Sequence, residues 1–322
     1  MKKIDISDIK DFYVGNFENK TAATGCTAIL CPYGAQGGVD VRGGGPASRE
    51  TALLRTDKMI ERIHCVMLSG GSAFGLDAAS GAMQFLEEKG IGFDTGAGVV
   101  PIVCAASLFD LTVGSCDIRP DKTMGYNACL KAMNRNFKEG NYGAGTGATV
   151  GKYKGSEYCV KSGIGSAAYI YENIEIGTVV AVNALGDIKK DGVIIAGMLN
   201  GSKDGFQNTE QTLLEDLIKP KNVFKGNTTI GCIITNAKLT KAETNKLASI
   251  SHNALARAIS PVHTSFDGDT LFALSSGKTE CFFDALCILA QKVTEEAIIN
   301  AVLKAESAYG FPCVSELKIK PR

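Results

Sequence analysis

The stretch KGNTTIGCIITNAKL, residues 225–239, decides how the rest of the chain is read. From Thr228 to Thr235 it is an apolar, β-branched run, the composition of a strand buried on both faces. The run opens abruptly on two threonines, directly after Gly226 and Asn227. The segment before it, Asp216 to Asn227 (DLIKPKNVFKGN), is polar, holds Pro220 and ends in Gly-Asn, as an exposed linker would. A linker that feeds straight into a core strand of the same domain is odd, unless the chain is meant to be cut there. Taken alone, a Thr-Thr pair at a strand start reflects only β-propensity.

Chemistry supplies a purpose for such a cut. A threonine hydroxyl is a weak nucleophile and needs an adjacent base. A threonine that becomes the first residue of a chain carries that base itself, as its α-amine. The amine has an ordinary pKa of about 7.7–8.0, near working pH, whereas a lysine at about 10.4 is mostly protonated.

Outward from this strand, elements alternate. Ile63 to Leu68 reads as a strand, followed by the turn Ser69-Gly70-Gly71 and a helix over Ser72 to Glu88 carrying Phe74, Ala78, Ala82, Phe85 and Leu86 at helical spacing. Thr178 to Leu185 (TVVAVNAL) is a strand interrupted by one polar residue, Asn183. Leu239 to Ile259 predicts a helix with a Thr240/Glu243 capping box and a face of Leu247, Ile250, Ala254 and Ala258. Asp284 to Glu306 predicts another long helix. The alternation predicts a layered α/β domain with buried sheets. The 37 glycines fall in short clusters such as Gly43-Gly44-Gly45, Gly70-Gly71 and Gly143 to Gly147, which suit tight turns and close backbone approaches.

Three polar features stand out. Asn183, inside an apolar strand, is costly unless its amide is bonded; it either pairs with a loop or aims an N–H at an oxyanion. Asp267-Gly268-Asp269 is either a plain turn or, if extended, a pair of carboxylates on one face able to orient a hydroxyl and an ammonium. GAGTGA (Gly143 to Ala148) fits a dinucleotide fingerprint, but TVGKYKGSEYCV after it lacks helical periodicity. Gly151-Lys152 resembles the end of a Walker loop, yet Thr146 stands where the first glycine belongs and Tyr153 replaces Ser/Thr. Neither predicts a nucleotide site.

Composition narrows the partners. With 34 basic and 34 acidic residues the net charge is zero, and no basic stripe points to nucleic acid. No segment approaches the ~18 apolar residues of a membrane span, and MKKIDISDIKDF lacks the apolar core of a signal peptide. The eleven cysteines form no C-x-x-C pair, and most, such as Cys65, Cys104, Cys232 and Cys287, lie in apolar runs. Only three histidines exist, His64, His252 and His263, so no metal or other cofactor is expected. Reduced thiols in a cytoplasmic protein are the expectation.

Six runs together resemble one family: VDVRGGGPASRET (Val39 to Thr51), LSGGSAFGLDAASG (Leu68 to Gly81), GAGTGATVGKYKG (Gly143 to Gly155), VVAVNALGD (Val179 to Asp187), NTTIGCIITNAKL and FDGDTLFAL. They are similar to the DmpA-like aminopeptidases, which include L-aminopeptidase/D-esterases, β-peptidyl aminopeptidases and nylon-oligomer hydrolases. The resemblance covers nearly the whole chain, from about Ile4 onward. It implies one domain over residues 1–322 with a four-layer αββα sandwich of the N-terminal-nucleophile hydrolase type. It further implies autoproteolysis into an α piece (1–227) and a β piece (228–322), and a homo-oligomer of αβ units. By position, it makes Thr228 rather than Thr229 the nucleophile and Asn227–Thr228 the cleavage site. Asn183 falls at the oxyanion asparagine, Asp267 and Asp269 at the acidic pair of the threonine branch, and Lys152 at a lysine near the nucleophile. Phe109 departs from the pattern, standing where related chains carry a tyrosine. The implied substrate is a small peptide or amide with a free amino end. Two alternatives stay open from sequence: an ornithine-type N-acetyltransferase, which shares cleavage before threonine, and an uncleaved glycine-rich binding or assembly protein.

Overall fold

The structure is a computed structural model that describes residues 1–218 and 226–317. Most of the linker-like segment before Thr228 therefore lies outside the described residues. Ten strands form the principal sheet: β1 (Lys2–Ile4), β2 (Tyr13–Asn19), β3 (Thr24–Val41), β4 (Ala47–Arg49), β5 (Ile63–Ser69), β6 (Val103–Ser107), β7 (Ile164–Tyr171), β8 (Ile174–Asn183), β9 (Thr228–Ala237) and β10 (Thr270–Thr279). Among the described residues five α-helices accompany them: α1 (Ala78–Glu87), α2 (Lys122–Met133), α3 (Thr209–Glu215), α4 (Lys241–Ala258) and α5 (Phe283–Leu303).

The strand order is β1-β7-β8-β9-β10-β3-β5-β6-β4, with β2 paired to β3. β3 is the corner. Its end, Gln36 to Val41, pairs with β10, while its start, Thr24 to Leu30, pairs with β2 and β5 across a register shift between Leu30 and Ala35. One long strand thus joins two layers.

Side-chain parity shows how the layers stack. Along β9, Ile230, Cys232 and Ile234 point one way and join Val179 and Ala181 of β8, Phe272 and Leu274 of β10, and Val66, Leu68, Cys104 and Ala106 of β5 and β6 in a core between the sheets. Ile233 and Ala237 point the other way, beneath Leu247 and Leu255 of α4 and Val293 and Ala297 of α5. A third core sets Met67, Ala105 and Leu30 against Phe85 and Leu86 of α1 and Ala128 and Ala132 of α2. The result is helices, sheet, sheet, helices: the four-layer αββα sandwich. β9 is buried along its whole length because it is covered on both faces. Each Ile, Leu or Phe so enclosed contributes roughly 1.5–3 kcal/mol.

Glycines let the helices lie close. A Cβ on Gly165 of β7 would come within 2.2 Å of the Ala297 carbonyl of α5, and one on Gly15 of β2 within 2.1 Å of the Ala132 nitrogen of α2. The capping box of α4 forms as its sequence predicts, with Thr240 and Glu243 exchanging bonds. Two expectations change. The helix expected from Ser72 begins with a 3-10 stretch, Ser72–Asp77, and is α-helical only from Ala78. Phe74 accordingly leaves the buried face and stays exposed, with the Arg119 guanidinium 4.0 Å from its ring centre. The last helix ends at Leu303 rather than reaching Glu306.

Candidate active site

Antiparallel pairing of β8 and β9 sets Asn183, the last residue of β8, directly opposite Thr228, the first of β9. Parity puts both side chains on the face between the sheets, and both are buried. With the Asn227–Thr228 peptide intact, the Thr228 hydroxyl donates to the Asn227 carbonyl oxygen. That same oxygen accepts the Gly268 N–H at 2.9 Å. Position 268 has little room for a side chain, since a Cβ there would stand 2.9 Å from Thr228 Oγ1. Thr229 turns its hydroxyl to the other face, where it is buried with no partner.

Asn183 is gripped from behind. Its Oδ1 accepts the Thr149 N–H at 3.0 Å and the Lys152 ammonium. Both partners are donors only, so the atom they meet is the oxygen and the NH2 must face the other way. Nδ2 donates to the Phe109 carbonyl at 2.8 Å and reaches the Gly226 carbonyl at 3.5 Å. Lys152 Nζ also donates to the Asn183 carbonyl at 3.1 Å and lies 3.5 Å from the Gly226 carbonyl. Burial pulls the Lys152 amine down to about 8, against the opposing pull of Cys159, Asp267 and Asp110. The Phe109 ring lies against Gly226, where a Cβ would come within 2.2 Å of it.

The two aspartates are both buried. The turn lies just before them, at Ser265 and Phe266; Asp267 then forms a parallel bridge with Asn227, and β10 begins at Thr270. Asp267 accepts the Thr264 N–H at 2.8 Å and its hydroxyl at 2.6 Å. Its carboxyl is raised to about 6, first by burial and then by the neighbouring charge of Asp269. Asp269 accepts the Thr229 N–H at 2.7 Å with one oxygen; the other takes the His263 N–H at 3.2 Å and His263 Nδ1 at 2.8 Å. The structure thus brings Thr228, Asn183, Lys152, Asp267 and Asp269 to one end of β8, β9 and β10.

Several contributors escape a reading of the sequence. The Arg42 and Gly43 N–H groups donate to the Asp269 carbonyl and the Gly45 N–H to that of Asp267, so the glycine triplet cradles the acidic segment. GAGTGA opens with a 3-10 turn, Gly143–Gly145, and leads into the short strand Thr149–Val150, which delivers Thr149 to Asn183. Asp110 is buried, accepts from Thr24 and the Gly71 N–H, and is raised to about 6 by burial. Lys161, fully buried among the carbonyls of Gly145, Ala148 and Ser162, is lowered to about 7 by burial. The glycine clusters were a visible signal; the individual partners were not. A cavity of ≈ 490 Å³ opens beside Lys152 and Thr149, lined also by Phe109, Glu157, Cys159 and Phe311.

No disulfide joins any of the eleven cysteines, all of which lie among the described residues. No helix among the described residues is long and apolar enough to cross a membrane.

Known proteins resemble this chain in sequence and fold. An uncharacterised aminopeptidase of Mycobacterium leprae is 36% identical, over 95% of this chain and 92% of its own length. A 6-aminohexanoate-oligomer endohydrolase of Kocuria sp. is 30% identical, over 91% of this chain and 84% of its own. Among solved structures, a Burkholderia sp. beta-aminopeptidase superposes with a TM-score of 0.68 at 18% identity, covering 98% of this chain and 94% of that one. The L-aminopeptidase D-Ala-esterase/amidase of Ochrobactrum anthropi, described as a variant of the Ntn hydrolase fold, gives 0.67 at 18% identity, covering 93% and 86%. These matches do not favour the acetyltransferase or the non-enzymatic alternative. The family model of peptidase family S58 matches residues 5–313, and the chain accordingly belongs to that family as a hydrolase of peptide or amide bonds.

Proposed function

We propose that the chain cuts itself between Asn227 and Thr228 and then acts as an aminopeptidase or amidase through the new N-terminal threonine. The observation that carries this reading is the meeting of Thr228 and Asn183 at paired strand ends, with the Thr228 hydroxyl already on the carbonyl of the bond to be cut. In self-cleavage, Thr228 Oγ bonds to the Asn227 carbonyl carbon, the C–N bond breaks, and the nitrogen leaves as the Thr228 amine. Water then hydrolyses the ester to an Asn227 carboxylate. The Gly268 N–H is in place to hold the developing oxyanion.

In the mature enzyme the Thr228 amine takes the hydroxyl proton as Oγ attacks a substrate amide, and passes it to the leaving amine. Water releases the acyl group from Thr228. Asn183 Nδ2 serves the oxyanion, held in that sense by Lys152 and Thr149. Asp267 and Asp269 supply negative charge beside the new ammonium, and Lys152 offsets part of it. The substrate is a small peptide or amide bearing a free amino end, received by the cavity beside Lys152. Pieces 1–227 and 228–322 remain one αβ unit of a homo-oligomer. Eleven cysteines with no disulfide among them suit a cytoplasmic setting.

The test is a denaturing gel with N-terminal sequencing. Wild type is expected to run as two bands, the smaller beginning Thr-Thr-Ile-Gly. Thr228→Ala is expected to stay one chain and lose activity by about 10⁴-fold or more. A small fragment beginning Thr-Ile-Gly would move the nucleophile to Thr229. An intact wild-type chain that hydrolyses amides well would end the account.

A further inference from the structure

His263 is a conspicuous neighbour of the site that the mechanism above does not use. Asp269 is 1% exposed and every contact to its carboxylate is a protein donor: the Thr229 N–H on one oxygen, His263 N–H and Nδ1 on the other. The Thr229 N–H belongs to the peptide that leaves Thr228, so the carboxylate that grips it sits one residue from the nitrogen freed by cleavage. What holds Asp269 in place therefore bears on where the Thr228 amine and hydroxyl point. His263 adopts φ 57°, a left-handed backbone that costs a histidine energy, and by it brings both its own N–H and its ring to the same oxygen.

The partner says which ring nitrogen does this. A carboxylate only accepts, so the proton given to Asp269 sits on Nδ1, while His263 Nε2 is buried with no partner. His252 stacks edge-on at 4.9 Å between ring centres, bonds the Asp40 carbonyl through Nε2, and is held down to about 4 by burial. Behind it, Arg42 is engaged by Asp40 and Ser249.

We propose that His263 is a positioning residue for the nucleophile, aiming the Asp269 carboxylate at the Thr228 end of β9 through its Nδ1–H. The inference rests on the reading of Thr228 as the nucleophile. It concerns a residue that acts through Asp269 and touches no substrate.

The test uses isosteric amides. His263→Asn places an N–H near the Nδ1 position, His263→Gln places one near Nε2, and His263→Leu has none. In the full-length protein, extent of self-cleavage and kcat and KM on an aminoacyl p-nitroanilide are measured across pH. His263→Gln and His263→Leu are expected to lose roughly 10–100-fold in kcat with little change in KM, the range seen when a supporting contact is removed. His263→Asn is expected to retain most of the activity. A misaimed carboxylate stabilises the ammonium less, so the acid limb of kcat should move to lower pH in the impaired variants. Equal loss in the Asn and Gln variants, or an unmoved acid limb, overturns the proposal and leaves His263 a packing residue. Wild-type kcat in His263→Leu overturns it as well. If His263→Leu does not fold, the Asn and Gln pair still decides. Thr228→Ala run alongside separates this outcome from failure of the nucleophile itself, since an active Thr228→Ala would remove the premise.

Discussion

The two ends of β9 carry similar residues in opposite conditions. At the exit, Thr235 Oγ1 donates to the Glu175 carbonyl at 2.8 Å and accepts the Ala237 N–H at 3.1 Å. Asn236 donates to the Asn173 carbonyl and accepts the Glu175 N–H, each at 2.8 Å. At the entrance, both amide atoms of Asn227 and the Thr229 hydroxyl are buried without partners, and Lys152 is buried among carbonyls. A buried polar group left unpaired costs about 1–3 kcal/mol. One threonine-asparagine end is finished as structure; the other holds its polar groups in an unfavourable state. Such local violations collect where a chain does chemistry.

Mutations at the two ends should separate activity from stability. With the nucleophile left in place, the largest effect is expected from Asn183→Ala, with a loss of roughly 100-fold or more in kcat, the usual consequence of removing an oxyanion donor. Near-normal turnover would make Asn183 a structural brace between β8 and the Thr149 loop. Thr235→Val should leave kcat unchanged yet destabilise by about 1–3 kcal/mol in urea unfolding, because it strands a buried carbonyl and N–H. A drop in kcat without that destabilisation would erase the contrast between the ends. Thr229→Val should be the mildest change. It removes an unpaired buried hydroxyl, so the protein should still cleave and unfold at the same urea concentration or slightly higher. Clear destabilisation would mean that the hydroxyl has a partner, such as a bound water.

Much of this could be read from the residues. β9 declared itself through unbroken apolar character, because burial on both faces removes the alternation of a half-exposed strand. Thr240 and Glu243 announced the start of α4, since a capping box is local. Asn183 drew notice as the one polar residue in its strand, and pairing with Thr228 gave it a place. What stayed hidden depends on distant partners. Pro32 and Gly34 interrupt the run Thr24 to Val41, so nothing local marks it as one strand serving both layers. Asp267-Gly268-Asp269 reads either as a turn or as an extended pair, and what decides is remote: Asp267 bridges Asn227, and the backbone of Arg42 to Gly45 bonds the carbonyls of both aspartates. His263 carries no motif; its role comes from Asp269, which a reader of the sequence sees as a partner of Thr228.

Strand order has a consequence for what a break at Asn227–Thr228 would leave behind. β9 and β10 lie side by side between β8 and β3, both of which come from residues before the break. The smaller piece would be a two-strand inlay in the middle of the larger piece's sheet, topped by α4 and α5. Pulling it out would tear two ladders at once and bare two facing sheet edges on the remainder. Nicking would therefore release no subunit. The severed chains should migrate together in any native separation, melt in one cooperative step, and part only in denaturant, with neither able to rebuild the sheet alone.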